Sequence, residues 1–503
     1  MLEYSLLGKL YTFWQNSFIY MVLAKIYHAF SNAFRFSVLK KIVTRSSKLQ
    51  SWYEDCLISR VIDTIIDFVL KILAVIADWF KPAWNNSFFV KICSGSIIFK
   101  YDFLFYGFIG GMFILPHQFW SNMFAVLGAA GLLVIYAFEC ALGQRKVLYP
   151  KKLGLPLLIF AALTPITMLF TEDKSNSFRV LLFCFAAFIF MWLVASNTDT
   201  EEKLKSILAW VYIVMIACAL YAIMQRVVGI EANLTFIDQE LNPNVPARVF
   251  STVDNPNNYA ELIVLFLPLA TVFAMNIKDI TKRFVACALL ALPVLALLMT
   301  YSRSGWLSIA VAVFIFVYYT NKRLIPWIFI AAFLCIPFLP ASILTRLGNM
   351  FNTADSSASF RLTLWQNCFA LLAMDHRWLT GIGLGPYTYK YNLLLVTTVK
   401  IAQSMAHTQM LYIDLVMEWG ILGLISFMWF FISKLFSGAS AIGKSDSKYV
   451  NGTLIASVSS FVGISILACF EYIWFYPRIM YAYFILMGLM IACINMPGRS
   501  NGK

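Results

Sequence analysis

Charge is scarce in this chain: 13% of its 503 residues are charged, against 61% hydrophobic residues and a mean hydropathy of +0.76. Soluble domains carry about 25% charged residues, so that shortage excludes a soluble globular protein of this length. Signals for disulfides or structural zinc are missing too. The ten cysteines include no CxxC pair, and most sit inside apolar runs (Cys140, Cys184, Cys218, Cys287, Cys335, Cys469 and Cys493), where they read as small buried hydrophobes. Histidine occurs only four times, at 28, 117, 376 and 407. The opening MLEYSLLGKLYTFW has no basic start leading into a clean apolar core and cleavage site, so no removable signal peptide is expected.

What remains is apolar sequence in runs of about 18 to 22 residues, the pattern of an all-α polytopic membrane protein. About twelve transmembrane helices are expected, near 97–115, 121–142, 153–170, 178–196, 206–227, 258–276, 284–300, 304–319, 324–340, 408–433, 451–470 and 477–495. The basic loops 143–152, 276–284, 320–323 and 434–448 fall on one side with both termini, and the positive-inside bias makes that side the cytoplasm. The same bias accounts for the net charge of +14, so no nucleic-acid partner is called for. Residues 1–95 form a separate region in which charges interrupt every apolar stretch at helical spacing. They read as amphipathic helices lying on anionic lipid, or as a hairpin packed on the protein's own body.

The opposite, extracytoplasmic face carries the loops 228–257 and 341–407, the corner at 301–304, and EYIWFYPR at 471–478. Positive charges there do not serve topology, which makes them candidates for chemistry. Arg248 precedes the turn Asp254-Asn255-Pro256-Asn257-Asn258, in which Asp254 or Asn255 can cap the next helix; a role in anchoring to headgroups stands as the alternative. Arg303, in Tyr301-Ser302-Arg303-Ser304-Gly305, opens a membrane helix against its macrodipole and so calls for an anionic partner or a function. Arg361 and Arg377 flank a segment whose Phe360, Leu364, Cys368 and Leu371 repeat at helical spacing, the mark of a helix lying along the outer surface. The alternating Gly381, Gly383 and Gly385 make a turn and only a weak phosphate-loop signal, while Tyr387, Tyr389 and Tyr391 suit either sugar stacking or an interfacial belt.

His407 stands at the mouth of the tenth span. Asp414 and Glu418 follow it by seven and eleven residues, and at about 100° per residue all three lie within roughly 20° of one line down a helix. The two acids anchor that span or pair with basic neighbours, since intramembrane carboxylates do not face lipid. Near neutral pH a histidine is the usual general base for a hydroxyl. Arginines can stabilise a developing negative charge through forked hydrogen bonds, without a metal or other cofactor. The close acids Asp238 and Glu240 read as a solvated loop.

Three stretches, RVFSTVDNPNNYAELIVLFLPLA, TYSRSGWLSIAVA, and FRLTLWQNCFALLAMDHRWLTGIGLGPY with AHTQMLYIDLVMEWGILGL, resemble the O-antigen ligase and polymerase family of bacterial membrane proteins. The resemblance implies a membrane glycosyltransferase of the GT-C-like kind in the bacterial cytoplasmic membrane. Such an enzyme takes a glycan from an undecaprenyl-diphosphate-linked donor on the outer face and passes it to a hydroxyl of a glycan, lipid or protein, by a single inverting displacement. It implies the diphosphate-binding role for Arg303 and Arg361, less firmly for Arg248, and the catalytic role for His407. Two departures stand out: the corner reads Ser-Arg-Ser-Gly, and Thr408 follows the histidine where asparagine is usual. A polymerase of repeat units in the same family, a flippase for the same lipid-linked glycan, and a non-catalytic scaffold are the alternatives.

Overall fold

The structure, a computed structural model, describes residues 50–87, 100–229, 246–348, 356–374, 376–385 and 407–496, together with residues 15–17, 21 and 25. Tyr387, Tyr389 and Tyr391, the acids Asp238 and Glu240, and most of the N-terminal basic residues lie outside that set. The elements in chain order are α1 (Leu57–Asn86), α2 (Tyr101–Ile114), α3 (Asn122–Ala141), α4 (Leu155–Thr167), α5 (Lys174–Asn197), α6 (Glu201–Val228), α7 (Pro256–Met275), α8 (Ile280–Leu289) and α9 (Ala291–Met299). Then follow α10 (Arg303–Asn321), α11 (Ile325–Cys335), α12 (Ala341–Gly348), α13 (Ser356–Met374), α14 (Leu411–Ala441), α15 (Lys448–Leu467) and α16 (Pro477–Asn495).

Among the described residues nine helical stretches are long and apolar enough to cross a membrane, and Tyr101–Ile114 and Leu155–Phe170 are shorter apolar helices. The chain is therefore a multi-pass membrane protein, with its described spans differing in detail from the expected twelve. The expected spans at 304–319 and 324–340 fall in one helical stretch, Arg303–Cys335, which bends at the 3-10 turn Lys322–Leu324. Tyr301 Oη and Ser342 Oγ lie 3.1 Å apart, so the chain returns to the corner it left. The span expected at 284–300 consists of α8 and α9, joined at Leu290.

α16 is the centre of the bundle: nearly all of it, from Pro477 to Cys493, is buried. A helix apolar on every side belongs inside rather than against lipid. Small residues let the helices close up, since a Cβ at Gly488 would lie 2.5 Å from the Met191 carbonyl oxygen and one at Gly463 would lie 2.8 Å from that of Ser308. Close backbone approach at small residues substitutes for the hydrophobic effect that lipid removes.

The basic loops meet at one end of this bundle. Lys434 Nζ donates to the Lys152 carbonyl at 3.3 Å, Tyr449 Oη to that of Asn276 at 3.0 Å, and Lys205 Nζ lies 4.9 Å from the Tyr449 ring centroid. α1 docks at the same end through its polar edge, with Lys151 bonding Asp63 at 2.7 Å and Tyr149 bonding Asp67 at 2.7 Å, while Glu54, just ahead of α1, pairs with Lys152 at 3.3 Å. Its other edge, including Ile58, Ile65, Phe68, Ile72 and Trp79, is exposed. Within α1 the chain packs on the body along one edge and presents an apolar face outward along the other.

Candidate active site

The opposite end holds the arginines. Gln225 of α6 fixes the loop before α7 by accepting the Ser251 and Phe250 N–H groups at 2.8 and 3.2 Å, with Ser251 at φ 55°. Asn255 caps α7 by accepting from the Asn257 N–H at 2.8 Å, with Pro256 in the first turn. Arg248, buried in this loop, donates through Nε to the Thr300 carbonyl and through Nη2 to Asn257 Oδ1, each at 2.6 Å. Thr300 immediately precedes the corner at 301–303, where Tyr301 adopts φ 51° and Ser302 caps α10 by accepting from the Gly305 N–H. Arg303, partly buried as the first residue of α10, is therefore carried on the corner that Arg248 grips.

A carboxylate absent from the sequence-based set ties these parts together. Glu471, between α15 and α16, accepts from Asn257 Nδ2 at 2.7 Å, and the same oxygen lies 3.9 Å from Arg361 Nη2. Burial raises its pKa above the ordinary carboxyl range, opposed by Arg361, by Arg248 and by the Asn257 bond. One acid thus faces two guanidinium groups. The sequence signal for Glu471 was faint: one acid among the aromatics of EYIWFY on an acid-poor face.

Arg361 lies in α13, whose Leu364, Cys368, Leu371 and Leu372 pack on Ile413, Val416 and Met417 of α14. This meets the expectation of a helix over that segment, with Arg361 in its second turn. Its Nε donates to Gln409 Oε1 at 2.8 Å, and the Gln409 N–H donates to His407 Nδ1 at 3.1 Å. Gln409, at φ 59°, therefore couples the loop arginine to the histidine. The imidazole packs 4.5 Å from the Phe475 ring centroid and 5.9 Å from that of Tyr472. Burial, and secondarily the charge of Arg361, lower the His407 pKa to about 4, so the ring is neutral at pH 7. A neutral ring whose Nδ1 accepts a hydrogen bond carries its proton on Nε2.

Asp414 and Glu418 are fully buried and serve the scaffold around the histidine. Asp414 accepts from the Thr408 N–H at 3.0 Å and from Thr408 Oγ1 at 2.8 Å, pinning the residue next to His407. Glu418 accepts from Tyr472 Oη at 3.1 Å, holding the ring that flanks the imidazole. α14 breaks at Gly420 (φ 70°), and the turn at 378–385 plugs the break: Ile382 N–H bonds the Met417 carbonyl at 2.7 Å and Ile421 N–H bonds that of Trp378 at 2.8 Å. A Cβ at Gly381 would lie 2.6 Å from the Met417 oxygen, so the glycine run is explained by packing. Arg377 Nη1 donates to the Phe170 carbonyl at 2.9 Å, tying it to the end of the α4 region instead of to Glu471. Among the described residues no three His, Cys, Asp or Glu side chains stand together as a metal-binding group.

Residues 287–428 match the family described as O-antigen ligase. A relative, the ComP-specific O-oligosaccharyltransferase of Acinetobacter baylyi (strain ATCC 33305 / BD413 / ADP1), is 23% identical over 347 residues, covering 62% of this chain and 60% of its own length. The match thus spans less than two thirds of that relative. A chain solved in work on the structural coordination of polymerization and crosslinking by a peptidoglycan synthase complex aligns over 67% of this chain and 96% of its own, at 16% identity. Its TM-score of 0.37 is too low to carry an argument.

Proposed function

We propose that this chain, whose residues 287–428 match the family described as O-antigen ligase, transfers a glycan from an undecaprenyl-diphosphate-linked donor to an acceptor hydroxyl, as an inverting, metal-independent glycosyltransferase. The single observation that carries the reading is the junction at Glu471, which gathers Arg248, Arg361 and, through Gln409, His407 at the end away from the basic loops. In this proposal the basic end faces the cytoplasm and the arginines face outward, where the lipid-linked donor presents its glycan.

The acceptor oxygen attacks the anomeric carbon while the bond from that carbon to the diphosphate breaks, the bonding pair leaving on the diphosphate. Arg303 and Arg361, steadied with Arg248 on one scaffold, hold the charge that develops there. The hydroxyl proton passes to a base, and His407 is the histidine that this network holds in place. Tyr387 belongs to the proposal as a sugar-stacking residue.

A second reading of His407 is favoured by its bond with the Gln409 N–H. With Nδ1 occupied by the Gln409 N–H, the other nitrogen carries the proton as Nε2–H, a donor toward the diphosphate or the acceptor oxygen. A base role requires that the Gln409 bond open so that Nδ1 takes the proton.

The test of the function is reconstitution in liposomes with a defined undecaprenyl diphosphate oligosaccharide, with and without acceptor, reading products by mass. Acceptor-dependent transfer supports ligation, and chain growth without added acceptor identifies a polymerase. Movement of intact donor across the bilayer with no new glycosidic bond identifies a flippase and overturns the proposal.

A further inference from the structure

At the basic end, far along the chain from the arginine cluster, two cavities adjoin. The first, of about 420 Å³, is apolar: Ile66 and Val69 of α1 roof it, over Leu133 of α3, Leu157 and Ala161 of α4, and Phe188 of α5. The second, of about 500 Å³, is lined by Gln50, Glu54, Lys152, Trp429, Ser433 and Lys434. Leu153 and Gly154 belong to the walls of both, so the two spaces are neighbours. Gly154 sits at φ 111°, a conformation that side chains rarely adopt, and a Cβ there would stand 3.6 Å from Gln50 Oε1 and 3.7 Å from Lys434 Nζ.

The polar cavity holds charge that its own walls do not neutralise. Lys152 pairs with Glu54 at 3.3 Å, and Lys151 alongside pairs with Asp63 at 2.7 Å. Lys434 has no ion pair among the described residues; its Nζ donates to the Lys152 carbonyl at 3.3 Å, which leaves two of its three protons unused. The Trp429 Nε1–H, in the same wall, is buried without a hydrogen-bond partner. A buried donor and a half-used ammonium at the head of an apolar cavity fit a single negative charge attached to a hydrocarbon chain. α1 meanwhile turns Phe68, Ile72 and Trp79 outward, placing the entrance beside lipid.

We propose that this double cavity is a binding site for a monoanionic membrane phospholipid, with an acyl chain beneath α1 in the apolar cavity and the phosphodiester on Lys434 and Trp429. The bound lipid locks α1 to α3 and α4 and is distinct from any glycan donor. A lipid with one net negative charge matches the one lysine of this cavity that has no ion pair among the described residues, whereas the phosphodiester of a zwitterionic lipid is already balanced by its own ammonium, which is why the occupant is an anionic phospholipid.

The experiment uses the full chain, purified in mild detergent, stripped of lipid, and given phosphatidylglycerol, phosphatidylcholine or the soluble headgroup glycerol phosphate, with binding read by native mass spectrometry. Phosphatidylglycerol is expected to bind one per chain, about tenfold more weakly in Lys434→Gln for the loss of a charge-assisted hydrogen bond, and near normally in Lys434→Arg. Ala161→Phe, which fills the apolar cavity and leaves Lys434 in place, is expected to lower phosphatidylglycerol binding too. Thermal unfolding of each variant checks that it is folded, and Lys434→Arg keeps the charge argument testable if Lys434→Gln is not. Equal binding of glycerol phosphate overturns the proposal in favour of a simple anion site, and equal binding of phosphatidylcholine, unchanged in Lys434→Gln, overturns it in favour of an unselective apolar groove. Unchanged binding in Ala161→Phe removes the acyl chain from the cavity and overturns it as well.

Discussion

Asn257 Nδ2 stands 2.7 Å from Glu471 Oε1, a bond across 214 residues of chain that joins the first turn of α7 to the last loop of the outer end. On its other side Asn257 accepts from Arg248, and the same Glu471 oxygen faces Arg361, so this one amide and one carboxylate set the spacing of two guanidinium groups.

Glu471 should accordingly act as a positioning residue. Glu471→Gln keeps the shape but loses the charge facing Arg361, and turnover is expected to fall about tenfold to a hundredfold, the range for a hydrogen bond to a charged group. Its pH behaviour separates positioning from plain stability. Burial raises the carboxyl's pKa in the folded state, so the folded chain holds that proton to higher pH than the unfolded one, and stability falls as pH rises through the interval. In Glu471→Gln that slope should vanish from thermal unfolding while the loss of turnover persists at every pH; a variant with normal turnover refutes the positioning role.

The two readings of His407 part at one substitution. Glutamine can place its amide N–H near the position of Nε2 but cannot take up a proton. Substantial activity in His407→Gln with loss in His407→Ala would establish the donor role, whereas a fall of about 10² to 10⁴ in both is the signature of a general base. Donor binding, measured separately, should survive in each.

Acidification gives an independent check on the environment of His407. Its pKa is lowered from the ordinary 6.5 to about 4 in the folded chain, so between those values the unfolded chain binds more protons and stability is lost as pH falls from 6.5 toward 4. Thermal unfolding across that window should be less pH-dependent in His407→Gln than in the wild type. An identical dependence would mean that the ring is not shielded as described.

Arg303→Lys and Arg361→Lys keep a charge and lose the planar fork, so each should lose much of its turnover if the pair holds a diphosphate. Arg377→Lys, at a residue tied to the Phe170 carbonyl, should leave turnover close to wild type. Equal activity in all three would reduce Arg303 and Arg361 to packing or topology.

Transfer should continue in the presence of EDTA, because guanidinium groups carry the charge stabilisation in this proposal. Activity lost to the chelator and regained with magnesium or manganese would replace the arginine mechanism by a metal-dependent one.

The class of this protein was legible in its sequence because the bilayer imposes it: uncharged runs of about 20 residues admit little besides membrane helices. The helix carrying Arg361 and the cap at Asn255 were also readable, since periodicity and capping are local. The stripe from His407 through Asp414 to Glu418 was visible as spacing, but its meaning was not. Only folding showed that Asp414 holds Thr408 and that Glu418 holds Tyr472 from another loop. The same holds for Glu471, for the tie of Arg377 to Phe170, and for the glycine run that plugs the break at Gly420. Those choices depend on which of several polar groups meet once helices distant in sequence pack together, and hydrophobic period carries no information about partners. A membrane sequence decides that the chain crosses the bilayer; the packing of the crossings decides which charges face one another.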